Sequence, residues 1–356
     1  MKFLRRALLL FVTIAVTVVG GIYGLGRCVF SEAGYEGPVS DHFDGKHFRN
    51  LGGPLRHGSD GFWKWTFTRR PGPWPDWDEG MGPGAAPPRV VEGGHLRVTF
   101  VNHASVLIQM DGVNVLTDPM YSKRASPVSW AGPKRRRPPG IRFEDMPRLD
   151  AVVMSHNHYD HLDLPTLGRL AAAMPEAKFF VGLGNAALLQ KNGVGRARDF
   201  DWWQEAAFPG DVKLTFVPAR HFSARGFSDR DKTLWGGWVL SGPSGSVYFA
   251  GDTGMGPHFA QIQERFPKLR LAILPIGAFL PRWFMSPVHV SPAEAVEAAR
   301  LLGVRHAMPM HFGTFPLGDD GRLEPVEELK KALAAAPAGA PAFEILEEGQ
   351  GWDVPE

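Results

Sequence analysis

Three imidazoles and a carboxylate fall within six residues, His156-Asn157-His158-Tyr159-Asp160-His161, and no other feature constrains this chain as much. Imidazole and carboxylate together suit zinc and similar borderline divalent ions. The apolar run Ala151-Val152-Val153-Met154 stands directly before them, so the stretch reads as a short buried strand ending in a loop of ligands at a sheet edge. A His-rich polar loop without metal is the plainer alternative, because short motifs do mislead. A two-metal centre needs more ligands than four, and they should come from the ends of other strands. His221 follows the apolar run 214–218, Asp252 follows 247–251 and His311 follows 306–310. Each sits just past a hydrophobic segment of strand length bounded by Gly or Pro. A lone histidine in such a place is more often a loop or core residue, but four features in this order are hard to dismiss.

The rest of the chain supplies strands to carry such ends. Residues 96–101, 105–110 and 113–117 read as consecutive strands, with Asp111-Gly112 as a hairpin turn. The segment 164–173 reads as a helix, 179–181 as a strand, 185–191 as a short helix, and 213–217, 234–240, 247–250 and 271–274 as further strands. Ser291-Pro292-Ala293-Glu294 starts a helix: Ser291 caps it, Pro292 occupies the first turn and Glu294 completes a capping box. That helix runs to about residue 302 and ends at Gly303, and 305–309 is a last strand delivering His311. Residues 31–95 are rich in Gly, Pro and Trp and show no sustained period of 3.6 or 2. They read as an extended N-terminal arm packed on the main domain, or as an interfacial membrane contact through their tryptophans. The implied organisation is an N-terminal segment (1–30), the arm (31–95) and one main domain (96–350).

Residues 7–26 carry no charge; at about 1.5 Å per residue they match the roughly 30 Å hydrocarbon core of a bilayer. Lys2, Arg5 and Arg6 precede them, so the expected placement is a membrane anchor with the main domain on the non-cytoplasmic side. Export after signal cleavage is the alternative. Cys28 is the one cysteine, so no intrachain disulfide forms and cysteine pairing says nothing of the redox compartment. Arg27 before it disfavours lipoprotein processing. A net charge of +2 makes no global demand for nucleic acid. The 24 Phe and 11 Trp suit either a membrane-facing or acyl-binding surface or a core filled with aromatics.

The order H-x-H-x-D-H, then His, Asp and His, resembles the metallo-β-lactamase superfamily of metal-dependent hydrolases. Finer motifs resemble its N-acylphosphatidylethanolamine-hydrolysing phospholipase D family. They are Thr117-Asp118-Pro119, Ser126-Pro127, Gly132-Pro133-Lys134-Arg135, residues 155–163, Phe249-Ala250-Gly251-Asp252-Thr253-Gly254 and Ile276-Gly277-Ala278-Phe279. Pro281-Arg282-Trp283-Phe284-Met285, His289-Val290, Pro292 and His311-Phe312-Gly313-Thr314-Phe315 belong with them. The match covers roughly residues 40–330.

The resemblance implies an α/β fold, a four-layer αββα sandwich, here with an N-terminal hydrophobic helix. It implies two Zn2+ ions, one on His156, His158 and His221, the other on Asp160, His161 and His311, with Asp252 between them. Two such ions lower the pKa of a shared water and bind oxygens that gain negative charge. The expected reaction is hydrolysis of a phospholipid phosphodiester, giving N-acylethanolamine and phosphatidic acid, with Asp160 and His289 as catalytic residues. His289 would donate to a phosphate oxygen or assist proton transfer; a surface histidine flanking a helix is the bland alternative. Lys134 and Arg135 would attract an anionic headgroup or membrane surface, or belong to a solvated loop. Asp118 and Asp163 would orient ligands rather than bind metal. No G-x-S-x-G elbow offers a covalent nucleophile. A lactonase or small-molecule phosphoesterase of the same fold, and a non-catalytic metal-binding envelope protein, are the competing possibilities.

Overall fold

A computed structural model of the chain describes residues 30–55, 59–80 and 82–356, and only isolated positions among the first 29. Cys28 and most of the apolar stretch 7–26 lie outside the described residues, and so does the expected N-terminal hydrophobic helix as a whole. Among the described residues, no helix is long and apolar enough to cross a membrane.

In chain order the elements are α1 (Ser59–Thr68), β1 (Leu96–Asn102), β2 (Ser105–Met110), β3 (Val113–Thr117), β4 (Ala151–Val153), α2 (Leu164–Ala173), β5 (Lys178–Gly182), α3 (Ala186–Lys191), β6 (Ala197–Phe200), β7 (Glu205–Phe208), β8 (Val212–Val217), β9 (Gly237–Gly242), β10 (Gly245–Phe249), α4 (His258–Arg265), β11 (Leu269–Pro275), α5 (Arg282–Met285), α6 (Pro292–Leu301), β12 (His306–Met310), α7 (Glu324–Ala335), β13 (Ala342–Phe343) and β14 (Gly351–Asp353). They form two seven-stranded mixed sheets, ordered β14-β1-β2-β3-β4-β5-β6 and β13-β12-β11-β10-β9-β8-β7.

Strand alternation explains how both faces of the first sheet are covered. Val106, Ile108, Ala151, Val153 and Phe180 point into one cluster with the second sheet, including Trp238, Val239, Phe249 and Ile273. Their neighbours Leu107, Val152, Phe179 and Val181 point the other way, onto Leu167 and Leu170 of α2 and Leu188 and Leu189 of α3. Successive side chains on a strand face opposite sides, so runs that are apolar throughout mark strands buried on both faces. The fully buried Trp238 ties the sheets together where the ligand loop begins, its indole N–H donating to Met154 O at 3.0 Å.

Local sequence signals are realised at several ends. Asp111 (φ 52°) and Gly112 (φ 78°) make the β2–β3 turn with two left-handed residues, the hairpin geometry that Asp-Gly favours. Ser291 Oγ accepts from Glu294 N while the Glu294 carboxylate accepts from Ser291 N, a complete capping box on α6.

The arm departs from its expected extended form, because α1 is a helix. Phe62 pairs with Trp65 and Trp63 with Phe67 at helical spacing, but the pattern lasts under two turns and is apolar on more than one face, so no sustained period betrays the helix; tertiary contacts hold it. Trp65 stacks on Phe284 of α5 with centroids 5.0 Å apart, and the Trp65 indole and Arg69 guanidinium both donate to Asp319 Oδ1. The edge strands β6, β7, β13 and β14 and the helices α4, α5 and α7 also lie outside the elements that the sequence pattern predicts. β7 (Glu-Ala-Ala-Phe) alternates exposed and buried residues over only four positions, too short a pattern to separate from a loop.

Candidate metal centre

Every candidate side chain sits just beyond a strand or in a tight turn at one end of the paired sheets. β4 runs into Ser155 and the loop 156–161; β8 leads to His221, β10 to Asp252 and β12 to His311. Loops at the carboxyl ends of parallel strands are where α/β folds build sites, and β4, β10, β11 and β12 are parallel to a neighbour. Three turn residues adopt left-handed backbone without being glycine: His103 (φ 46°), Asp118 (φ 34°) and His311 (φ 61°). Such conformations cost of order 1–3 kcal/mol each and persist only where surroundings over-determine them. Here His311 N donates to His103 O at 2.7 Å, and Asp118 N donates to Val153 O at 2.8 Å.

The seven residues singled out from the sequence converge. His156 Nε2 lies 2.8 Å from His158 Nδ1, which lies 3.2 Å from His221 Nε2. Asp160 Oδ2 lies 3.2 Å from His161 Nε2 and 3.3 Å from His311 Nε2. Asp252 Oδ2 stands between the two groups, 3.2 Å from His161 Nε2, 3.1 Å from His311 Nε2 and 3.8 Å from His221 Nε2. Overlapping sets of these residues present ligand atoms within 4.8 Å of one another. His103, overlooked in the sequence, joins the second group with Nε2 3.0 Å from Asp160 Oδ2. Its signal is faint: a histidine in the short turn between the 96–101 and 105–110 segments, which closes to two residues between β1 and β2 and where Asn, Asp or Gly is usual.

Burial sets the protonation of the cluster. It drives His156 and His221 well below the ordinary imidazole range and His158 to about 3, so three uncharged rings bring together nitrogens able to turn lone pairs toward a cation. Burial also opposes charge on Asp160 and Asp252, yet the surrounding imidazoles hold both well below the carboxylate range. His161 is pushed well above the imidazole range against its burial by Asp252, Asp160 and Asp118. Within this cluster His161 Nε2 and Asp252 Oδ1 are buried without a hydrogen-bond partner, although unpaired buried polar atoms cost about 1–3 kcal/mol each. Clustered lone pairs, two carboxylates and orphaned atoms aimed inward fit divalent cations.

The supports are also in place. Asp118, fully buried, accepts from Ser155 N (2.7 Å), from Ser155 Oγ (2.6 Å) and from His161 Nδ1 (2.6 Å). Ser155 Oγ also approaches His156 Nδ1 at 2.9 Å. Asp163 instead orders the chain near β3, accepting from Tyr121 N, Ser122 N and Thr166 Oγ1. Gly251, at φ +60°, precedes Asp252; a Cβ there would fall 2.4 Å from Ser155 Cβ, so only glycine lets β10 approach the ligand loop. His289 lies at the rim, half-buried, its Nδ1 3.9 Å from Asp252 Oδ2. Arg282 positions it by donating to His289 O at 2.9 Å while gripping Glu294 of the α6 cap at 2.6 Å. Burial holds His289 at about 4, so near neutral pH the ring is uncharged and offers one N–H.

The basic loop is a correction in part. Lys134 is exposed, but Arg135 is buried, its guanidinium donating to Met120 O (2.6 Å) and Ser122 O (3.2 Å) and lying 5.0 Å over the Phe315 ring. Buried under Phe315 and donating to two backbone carbonyls, the Arg135 guanidinium is not presented at the surface to an anionic headgroup; it braces the connection between β3 and β4.

Two facing sheets with imidazoles and carboxylates gathered at their ends define the metallo-hydrolase class of protein. The beta-lactamase superfamily domain matches residues 113–312, and the chain belongs to that superfamily as a metal-dependent hydrolase. It is 38% identical over 270 residues to the N-acyl-phosphatidylethanolamine-hydrolyzing phospholipase D 1 of Caenorhabditis elegans, covering 73% of this chain and 76% of that one. It is 33% identical to a metal-dependent hydrolase of Methanopyrus kandleri, over 62% of this chain and 86% of the relative. A solved metallo hydrolase of the archaeon Ignicoccus hospitalis shares the fold at 24% identity, with a TM-score of 0.54 over 73% of this chain and 98% of that one.

Proposed function

We propose that this protein is a phospholipase D-type phosphodiesterase acting on N-acylphosphatidylethanolamine-like lipids. The observation that carries this reading is the 38% identity, over most of both chains, to a relative named for that hydrolysis. Exposed rings support it: Phe62, Trp63 and Phe67 on α1, Trp130 on the β3–β4 connection, Phe227 beyond His221, and Trp283 on α5 before His289. Exposed aromatic clusters of this kind suit an interfacial surface. An anchor at residues 7–26, holding the domain on the non-cytoplasmic side, would keep the centre close to such a surface. Alkaline carbonate washing of membranes tests the anchor, and release of the full-length chain refutes it.

In this reading His156, His158 and His221 would hold one zinc ion and Asp160, His161 and His311 the other, with Asp252 able to serve both and His103 backing Asp160. When bound, the two ions lower the pKa of a shared water and offset the negative charge that grows on the phosphoryl oxygens. The chain does the rest. Asp160, held by His103, His161 and His311, is placed to orient the attacking water. The water oxygen forms the new P–O bond, and the bond from phosphorus to the ethanolamine oxygen breaks. The proton lost by the water ends on the departing alcohol, and the His289 N–H at the rim donates to a non-bridging phosphate oxygen.

The test is incubation of the zinc-loaded protein with N-acylphosphatidylethanolamine in mixed micelles, followed by mass spectrometry. N-acylethanolamine and phosphatidic acid should rise together and stop rising on chelation. Absence of both products with the metal fully bound removes the substrate; turnover of soluble lactones or phosphodiesters in its place points to the other hydrolase class.

A further inference from the structure

The seven ligand candidates come from strand ends of the two sheets, but one of them is steadied from elsewhere. His221 lies four residues past the end of β8, where the ladder no longer holds its backbone. Its amide donates to Asn50 Oδ1 at 3.0 Å, and its carbonyl accepts from Asn50 Nδ2 at 2.8 Å. One carboxamide thus pairs with both backbone groups of one residue, replacing the missing strand neighbour. Its orientation is fixed, because Asn50 Oδ1 also accepts from the indole N–H of the buried Trp235 at 3.1 Å. Turned over, the amide nitrogen would face two donors and the oxygen a carbonyl. With the backbone held, the His221 ring needs only the contact of Nδ1 with Val288 O at 3.1 Å to aim Nε2 at the centre.

The N-terminal arm that carries Asn50 is itself pinned. Phe43 and Phe48 are buried in the main core, Phe48 N donates to Asp231 O at 2.7 Å, and His42 Nε2 meets Asp201 Oδ1 at 2.8 Å. Arg220, the neighbour of His221, donates to Leu51 O at 3.1 Å. On the other side, Arg220 N donates to Thr253 Oγ1 at 2.9 Å, next to Asp252. Asn50 lies outside the region 113–312 that matches the family domain.

We infer that Asn50 is a positioning residue for the metal centre, supplied by the arm, which sets the His221 backbone so that its imidazole closes the group formed with His156 and His158. The inference rests on the place of His221 in the centre and is independent of the lipid substrate. Partners that orient metal ligands are worth about 10–100-fold in metal affinity, and a loss confined to one ion would separate positioning from general weakening.

The test uses the full-length protein stripped of metal and reloaded with cobalt(II), with stepwise affinities from chelator competition and geometry from the visible spectrum. Asn50→Ala should weaken one of the two cobalt sites by about 10–100-fold, change that site's spectrum and leave the other site as it was. Leu329→Ala, which opens the core under α7 and touches none of the candidate ligands' hydrogen-bond partners, should lower thermal stability and leave both cobalt affinities alone. If Asn50→Ala does not fold, Asn50→Asp decides. It keeps the acceptor for His221 N and Trp235 but loses the donor to His221 O, so the same one-site loss is expected. Unchanged affinities and spectra in the folded Asn50 variant overturn the inference. So does an equal loss at both sites that Leu329→Ala reproduces. No step requires turnover, so failure of the lipid assay leaves these outcomes interpretable.

Discussion

Asp118→Asn isolates what a fully buried carboxylate contributes behind the ligands. A carboxylate only accepts hydrogen bonds, so the 2.6 Å approach of Asp118 Oδ2 keeps a His161 proton on Nδ1 and makes Nε2, which faces Asp160 and Asp252, the nitrogen available to a metal. Asparagine has nearly the same shape and tolerates the φ of 34° at this position, so the backbone need not move. If its oxygen stays on Ser155 N, its NH2 faces Ser155 Oγ and His161 Nδ1. Nδ1 must then give up its proton, and the neutral ring carries it on Nε2, the atom that would bind metal. Loss of such an orienting partner should weaken metal binding about 10–100-fold, roughly 1.4–2.8 kcal/mol. In the metal-free protein, removing one partner of a buried ion pair should cost about 3–5 kcal/mol. Chelator competition reads the first quantity and denaturant unfolding of the stripped protein the second. Wild-type metal affinity in a folded Asp118→Asn protein would refute the role of Asp118 in fixing the tautomer.

Three other changes probe separate parts of the structure. Burial opposes charge on His42, but Asp201 and Asp41 outweigh it and raise the imidazole above its usual range. Its contribution to stability is therefore fully present below about pH 6.5 and is lost as pH rises through the raised value. Melting temperatures of wild type and His42→Ala should differ most in mild acid and converge in alkali; a gap that widens with pH contradicts the pairing. Gly251→Ala places a methyl 2.4 Å from Ser155 Cβ in left-handed backbone. About 1–2 kcal/mol of backbone strain and about 1–3 of overpacking should appear in denaturant unfolding, with metal lost on dialysis; a stable variant that keeps its metal contradicts the close approach. Arg135→Met strips the donor from Met120 O and Ser122 O and should cost about 2–4 kcal/mol. The Michaelis constant for an anionic lipid and its salt dependence should stay as in wild type; a steep rise in that constant would restore Arg135 to the binding surface.

The centre was legible in the sequence because metal chemistry demands particular side chains at strand ends, and strand ends are local signals. His156, His158, Asp160 and His161 share one loop, while His221, Asp252 and His311 each follow an apolar run that reads as a strand by itself. The supports are another matter. His103 is one histidine in a two-residue turn, and it joins the centre only because β12 brings His311 against that turn, 208 residues later. Asn50 meets His221 across 171 residues, from an arm without periodicity, and α1 in the same arm forms on contacts to Phe284 and Asp319. Arg135 misled for the converse reason: a run of four basic residues reads as solvated, yet Phe315 and two carbonyls bury this guanidinium. Composition can announce a ligand, because few side chains bind metal, whereas the groups that aim a ligand are ordinary amides, carbonyls and indoles whose role exists only in the fold. If that division holds, substitutions in the arm should alter how the metals are held without touching any residue that a motif would single out.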